Sequence, residues 1–584
     1  MSSVVRWLVA SALCATAVVG CSYLSGYYLR AWIGVDVALA WDTWLAYFRV
    51  IDLPAYAPYA LAIRTTGAAA ILTVLVVVAP ALGLLFRKPK ASLHGDARFA
   101  TRMDLSRHGL LKSAANGIVV GRWGRSLIRL AGQQFVILAA PTRSGKGVGI
   151  VIPNLLSYEE SMVVLDIKQE NFDVTSGWRS ARGHAIFLFN PFAEDRRSHR
   201  WNPLGYVSAD PNFRISDLQA ISAMLYPDAS GDQNFWVSQA RNAFVAFALY
   251  LFERRDRLAG VSHDPQADGL PTLGAIFRLS SGDGSDLKTY LRKLSRKPFL
   301  SDNARSAFSN LLSQAEETFS SILGSFREPL NAFLNPVLDA ATSHNDFLLT
   351  DVRRKKMTIY IGIQPNKLAE SRVLVNLFFS QLINVNTRTL PQSDNSLKHQ
   401  CLMLMDEFTS IGRIDILAKS VSYMAGYNMR LLPIIQSMAQ LDAVYGRDLA
   451  RTLVTNHALQ IIYAPREQQD ANDYSDMLGY TTVRQTNVTR GRDVSRSESR
   501  ERRALMLPQE LKAIGFDKEV FLYEGIPHPV MCQKIKYYED RMFKKRLLDR
   551  VEVKELEIAA RKREAKRSVK VEISASSMKF LRAA

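Results

Sequence analysis

Lys146 lies in the run FVILAAPTRSGKGVGIVIPNLL, residues 135–156, and has the plainest chemical task in the sequence. The run reads as a buried strand over 135–139, a tight loop over 140–145 and a helix opening near Lys146. That layout makes an anion cradle, because loop N–H groups and a helix N-terminus both attract phosphate oxygens. A lysine at this point of the cradle reaches the β- and γ-phosphates of a nucleotide. The match to G-x-x-x-x-G-K-[ST] departs at Ala140, which replaces the first glycine, and at Gly147, which replaces the hydroxyl residue that touches Mg2+. The apolar strand before and the apolar helix after favour a phosphate loop over an ordinary glycine-rich turn.

Hydrolysis of ATP needs one carboxylate for the Mg2+ shell and a second to polarise the attacking water. The run LMLMDE, residues 402–407, ends in both, Asp406 and Glu407. Its rival is Asp166, at the end of MVVLD, which is followed by Ile167 and Lys168. Asp406 is assigned to the metal and Glu407 to water activation; a solvated pair at a strand end is the plain alternative. Gln436 ends the apolar run LLPIIQ. Ligands of open α/β sheets bind at the carboxyl ends of strands, so Gln436 either contacts a γ-phosphate or water, or caps a turn.

These residues need a scaffold, and the sequence supplies one. Short strands are expected at 117–120, 126–130, 162–166, 357–364, 402–407, 431–436, 459–463 and 520–523. Strands alternating with helices imply a parallel sheet covered on both faces. Between 212 and 340 the apolar spacing is helical, with turns near 227–232 and 260–269, which reads as an all-α insertion. A further helix is expected at 467–478, and the Arg- and Ser-rich run 485–503 reads as an exposed hairpin or loop. Arg292, Lys293, Arg296 and Lys297 form a basic cluster, read as a solvated face or as a contact for an acidic substrate.

Ahead of the scaffold, residues 7–29 and 66–86 are uncharged apolar runs long enough to cross a bilayer. Trp41, Trp44, Tyr47, Tyr56 and Tyr59 lie between them and suit a membrane interface. Arg6 before the first run and Arg87, Lys88 and Lys90 after the second place both ends of this hairpin in the cytoplasm. Cys21 after Val18, Val19 and Gly20 resembles a lipoprotein cleavage site, but export would part the chain from cytoplasmic ATP. The expected organisation is a transmembrane hairpin with a short periplasmic loop (1–90), a nucleotide-binding domain in two parts (91–211 and 341–535), the all-α insertion (212–340) and a charged tail (536–584).

The 584 residues carry a formal net charge of +19, which suits nucleic acid or an anionic membrane surface. The four cysteines form no C-x-x-C or His/Cys pattern, so neither a zinc site nor a disulfide framework is expected. Arg561, Lys562, Arg563, Lys566 and Arg567 make a basic stripe in the tail, either a solvated helix or an electrostatic contact for DNA or lipid.

In order, the chain holds the apolar hairpin, HGDAR (94–98), APTRSGKGVG (140–149), VLDIK (164–168), FNP (189–191), WNPL (201–204), LMDEF (404–408), PIIQS (433–437) and EGIPHPV (524–530). This set resembles the type IV secretion coupling proteins, the TraG-like ATPases of conjugative systems, over residues 1 to about 540. The resemblance implies an inner-membrane ATPase with a RecA-like P-loop nucleotide-binding domain, a mostly helical inserted domain and a homo-hexameric assembly. It implies recognition of a relaxase with single-stranded DNA, or of protein effectors, and delivery to the secretion channel. It puts ATP on Thr142, Arg143, Ser144, Gly145, Lys146 and Gly147, Mg2+ on Asp406, and hydrolysis on Lys146, Glu407 and Gln436. Arg430 and Arg466 are candidates for an arginine reaching a neighbour's nucleotide. Two other readings compete: a double-stranded DNA pump similar to cell-division translocases, which predicts more spans and a C-terminal winged helix, and a docking adaptor that binds nucleotide without hydrolysis.

Overall fold

The computed structural model describes residues 3–85, 93–229, 231–262, 269–490 and 494–558. The chain divides into two compact units, Met1–Leu93 and His94–Ala584.

In the first unit the two apolar runs are helices, Trp7–Ile33 of 27 residues and Pro54–Leu85 of 32, the latter opening as a 3-10 turn. At 1.5 Å per residue even the shorter rises about 40 Å, enough for a bilayer core. Between them, Trp44 donates its indole N–H to the Ile63 carbonyl at 2.8 Å and lies against Gly67, where any side chain would collide with the ring. Leu29, Ile51 and Ile63 are buried around this contact. Arg87, Lys88 and Lys90 lie outside the described residues, as does the basic stripe beyond residue 560.

In the second unit the strands are β1 (Ile118–Trp123), β2 (Ser126–Leu130), β3 (Val136–Ala139), β4 (Ser161–Asp166), β5 (Ala185–Phe189), β6 (Met357–Gly362), β7 (Cys401–Met405), β8 (Met429–Ile435), β9 (Leu459–Ile462), β10 (Tyr480–Arg490), β11 (Val494–Ala504), β12 (Lys518–Tyr523) and β13 (Val530–Gln533). Eleven form one sheet in the order β2-β1-β13-β12-β9-β3-β8-β7-β4-β6-β5. The strands from β9 through β5 run parallel, and β12, β13, β1 and β2 continue the sheet in antiparallel pairs. The central strands β4, β6, β7 and β8 are buried at every position, as a sheet covered on both faces requires. The sequence reading does not include β5 or β13.

One face of the sheet packs on the helical insertion, whose helices include Pro211–Leu225, Gln233–Ser262, Leu273–Ser280, Leu287–Ser295, Asp302–Leu312 and Glu316–Arg327. Phe244, Phe247 and Phe326 of the insertion share one buried cluster with Phe189, Met403 and Leu431 of the sheet. The helix Leu368–Asn386 follows β6 and seats Phe378 against Trp201 and Phe189.

Residues 534–558, read from sequence as the start of a charged tail, run back over the sheet instead. Phe543, Val553 and Leu556 are buried. The Asp549 carbonyl lies against Gly177, where a side chain would collide with it, and Arg546 donates to the Leu156 carbonyl at 2.7 Å. The charged residues of this segment snorkel while its few apolar ones pack.

Candidate nucleotide-binding site

The sheet order puts the chemistry together. β3, β8 and β7 are neighbours, and β7 pairs with β4. Their carboxyl ends are level, with Ala139 opposite Ile435, Met405 opposite Pro433, and Leu165 opposite Met405. The loop after β3 therefore faces Asp406 and Glu407 after β7 and Gln436 after β8.

The loop turns through left-handed backbone at Arg143 and Gly145, φ 60° and 87°. No heavy atom stands within 4 Å of where a side chain at Gly145 or Gly147 would begin, so the approach to the backbone is open. A π-helical turn, Gly147–Val151, follows, then a helical turn Ile152–Leu155. Gly149 is needed for packing, since a side chain there would strike the Tyr463 hydroxyl. Asn154 fixes the turn to the sheet: it accepts from the Val119 N–H and donates to the Val119 and Ile150 carbonyls, each at 2.8 Å.

Lys146 Nζ donates to Glu407 Oε1 and stands 3.2 Å from Asp406 Oδ1. Glu407, in left-handed backbone at φ 59°, accepts a second hydrogen bond from Gln436 Nε2 at 2.7 Å. Gln436 Oε1 in turn accepts from Thr142 Oγ1 at 2.9 Å, which closes the circuit on the loop. Burial pushes Glu407 up, but the hydrogen bonds from Lys146 and Gln436 and the lysine's charge outweigh it, so its carboxyl is held below the usual range. Burial dominates at Asp406 and raises it, opposed by Lys146.

Asp166 also lines the cleft, but its oxygens are committed. It accepts from the N–H groups of Phe172 at 2.8 Å and Asn171 at 3.4 Å and from the Asn171 amide at 3.2 Å, capping the helix Glu170–Ala181. Burial pushes it up to about 7 despite those bonds.

The cleft measures about 420 Å3 and is lined by the loop, Asp166, Lys168, Asn171, Asp406 and Glu407. Its volume is within the range of small-molecule sites. Ser144 Oγ is buried without a hydrogen bond, and buried Asp406 Oδ1 faces only the Lys146 ammonium at 3.2 Å, so both have capacity for a ligand. Among the described residues no cluster of three His, Cys, Asp or Glu side chains could enclose a metal. Mg2+ asks for less, since it binds through one or two carboxylates plus substrate phosphates and water. The residues present fit Mg2+ carried in with a nucleotide.

Two loop contacts and one cleft lysine lie outside the roles read from the sequence. Arg466 donates to the Thr142 carbonyl at 2.9 Å and Lys534 to the Ser144 carbonyl at 3.3 Å, while Lys168 stands at the cleft rim. Lys168 carried a signal, its place just beyond a strand end, and Arg466 was named for a different role; Lys534 carried none. The two arginine candidates differ in exposure. Arg430 is fully buried at the opposite end of β8 and donates to the carbonyls of Asn116, Leu130 and Gln134, so it cannot reach a neighbour. Arg466 is exposed, and its guanidinium makes one hydrogen bond, to the loop it adjoins.

With this geometry in place, comparison with known proteins is decisive. A family model described as type IV secretory system conjugative DNA transfer matches residues 97–559. The chain belongs to that family. It is a coupling protein of type IV secretion, homologous to VirD4 and TraG. Protein VirD4 of Agrobacterium fabrum is 30% identical over 512 residues, which are 85% of this chain and 73% of that one. Conjugal transfer protein TraG of Escherichia coli is 29% identical over 463 residues, 72% of this chain and 71% of that one. Among solved structures, the unbound bacterial conjugative coupling protein TrwBΔN70 superposes with TM-score 0.55 at 18% identity, over 77% of this chain and 95% of that one. TrwB bound to the ATP analogue ADPNP gives TM-score 0.54 at 18% identity, over 77% and 96%. TrwB with ADP and Mg2+ gives 0.53 at 17%, over 81% and 98%. The fold is therefore α/β, RecA-like and P-loop-bearing with a helical insert, as the coupling-protein motifs imply. Family membership also sets aside the cell-division pump.

Proposed function

We propose that this coupling protein is an inner-membrane ATPase that recruits substrate and spends ATP hydrolysis on passing it to the secretion channel. The observation that carries the reading is the closed circuit Lys146–Glu407–Gln436–Thr142, with Asp406 beside it. Its members come from three neighbouring strand ends and surround an open phosphate loop. Structures of the TrwB protein with ADPNP and with ADP and Mg2+ support nucleotide as the occupant.

On this reading the N–H groups of Thr142, Arg143, Ser144, Gly145, Lys146 and Gly147 hold the phosphates. Lys146 leaves Glu407 for the β- and γ-phosphate oxygens. That frees Glu407, ionised at neutral pH, to orient and polarise the attacking water. Asp406 would hold Mg2+, which when bound neutralises charge developing on the phosphate oxygens. Gln436 is bonded to Glu407 and to the loop, so a nucleotide that moves either moves Gln436, which can pass the change to β8.

The apolar helices Trp7–Ile33 and Pro54–Leu85 would anchor the chain as two spans, with the nucleotide unit in the cytoplasm where ATP is found. The cargo would be a relaxase with single-stranded DNA, or protein effectors, and the net charge of +19 favours DNA. A homo-hexamer is the assembly expected of the RecA-like fold. Replacing Lys146 with alanine tests the reading: substrate transfer should stop while membrane insertion persists. Undiminished transfer would remove the motor. If the intact chain never turns over ATP, even with DNA present, the non-hydrolysing adaptor takes its place.

A further inference from the structure

Strands β10 and β11 form a separate two-stranded sheet, paired without a break from Tyr480↔Ala504 to Arg490↔Val494. Alternate residues of a strand face opposite sides, and directly paired residues share a side. The register therefore sorts the charges. Arg484, Arg500 and Arg502 occupy positions on one face. The opposite face has Thr481, Gln485 and Ser499, with one arginine and one glutamate, Arg503 and Glu501. Arg503 is already paired with Glu510 at 2.5 Å.

The charged face is built against its own stability. Arg484 stands directly opposite Arg500, and like charges so placed repel. Arg484, Arg500 and Arg502 are all exposed. Arg502 lies over the Tyr480 ring at 3.5 Å, and among the described residues none of the three forms an ion pair. Among the described residues no carboxylate pairs with them, so the face is open to an anionic partner.

We propose that this arginine face grips the backbone phosphates of DNA, without reading bases. Its choice of DNA as cargo rests on the function proposed above; the site itself is separate from the nucleotide cleft. Two features favour DNA over an anionic membrane. A surface that docks on lipid adds large apolar side chains that dip beneath the headgroups, whereas residues 481–503 contain only three valines as apolar residues. The ribbon is also exclusively arginine-based, with no lysine between 480 and 504. Guanidinium forks bind phosphate oxygens in pairs, and a two-stranded ribbon has the dimensions of the major groove.

The test uses the full chain in phosphatidylcholine nanodiscs, with no nucleotide added, and fluorescent 30-mers of single- and double-stranded DNA. The variant Arg484→Gln/Arg500→Gln/Arg502→Gln should bind both DNAs at least tenfold more weakly. The slope of log affinity against log salt should fall by about 2 to 3, because each lost phosphate contact removes about 0.7–0.9. The control Arg102→Gln/Arg107→Gln/Lys112→Gln carries the same charge change at exposed positions elsewhere in the unit and should bind like wild type. Unchanged binding by the ribbon variant, at a wild-type melting temperature, overturns the proposal. An equal loss in the control does so too, by reducing the effect to net charge. Unchanged DNA binding with weaker capture by phosphatidylserine vesicles would assign the face to lipid instead. Because nucleotide is absent, failure here leaves the ATPase reading standing, and loss of ATP turnover elsewhere leaves the ribbon standing.

Discussion

Replacing Glu407 with glutamine should separate nucleotide binding from hydrolysis, in opposite directions. In the ligand-free arrangement Glu407 accepts from both Lys146 and Gln436, and its side chain is 20% exposed. ATP must draw Lys146 away from that carboxylate. A charge-assisted hydrogen bond contributes about 1.5–3 kcal/mol and a neutral one about 1. After discounting for partial solvent screening, the competition relieved by glutamine is about 1 kcal/mol, or roughly fivefold in affinity. Shape is kept, and the amide oxygen can still accept from Gln436. Without a carboxylate to polarise water, turnover should fall by about 10²–10⁴. The assay is competition against a fluorescent nucleotide for Kd, with phosphate release for turnover, on the full chain in detergent. Wild-type turnover in the variant would refute Glu407 as the activating group. A Kd weakened tenfold would refute the claim that Lys146 is held in reserve by Glu407.

Three further outcomes are expected. Arg430→Met should lower stability by about 3–5 kcal/mol, read by chemical denaturation, because it strands the buried carbonyls of Asn116, Leu130 and Gln134; a mild change would mean water replaces the guanidinium. Glu519, fully buried beside Cys532 and Tyr463, is pushed by burial from 4.5 up to about 8. A raised acid contributes stability that is full below its unfolded value and lost as pH rises through the folded one, so Glu519→Gln should match wild type near pH 4.5 and exceed it above pH 8, on the order of a few kcal/mol. Lys534, held down to about 8 by burial, is raised in part by the Glu519 charge, so the difference between variant and wild type across pH reports the coupled pair; parallel melting curves would refute the assignment. Phe543→Ala, in the segment that runs back over the sheet, should cost about 3–5 kcal/mol; a truly solvated tail would show no change.

Much of the candidate site was legible because its residues sit at or just beyond strand ends. Lys146, Asp406 and Gln436 each follow an uninterrupted apolar run, and parallel strands announce themselves in that way. The choice of Asp406 over Asp166 rested on the adjacent Glu407; the geometry adds a second reason, since the oxygens of Asp166 cap a helix. What stayed hidden depends on strand order, which no local pattern encodes. That β8 and β7 insert between β3 and β4 is what brings Glu407 to Lys146, 261 residues away. Arg430 looked free because a polar residue at a strand start is usually exposed; only the packed sheet shows the carbonyls waiting for it. Residues 536–558 were misjudged because Phe543, Val553 and Leu556 are too sparse among charges to register as a core pattern. β5, AIFLF between Gly183 and Asn190, is a short apolar run whose last residue is also the first of the FNP motif.

The central claim is that Lys146, Asp406 and Glu407 converge on one nucleotide. The most direct measurement is an experimental structure of the full chain with a non-hydrolysable ATP analogue and Mg2+. The account predicts phosphate oxygens on the 142–147 backbone, Lys146 moved from Glu407 to the phosphates, the ion beside Asp406, and Glu407 facing the terminal phosphate. A nucleotide bound elsewhere, with the Lys146–Glu407 pair still closed, would contradict it.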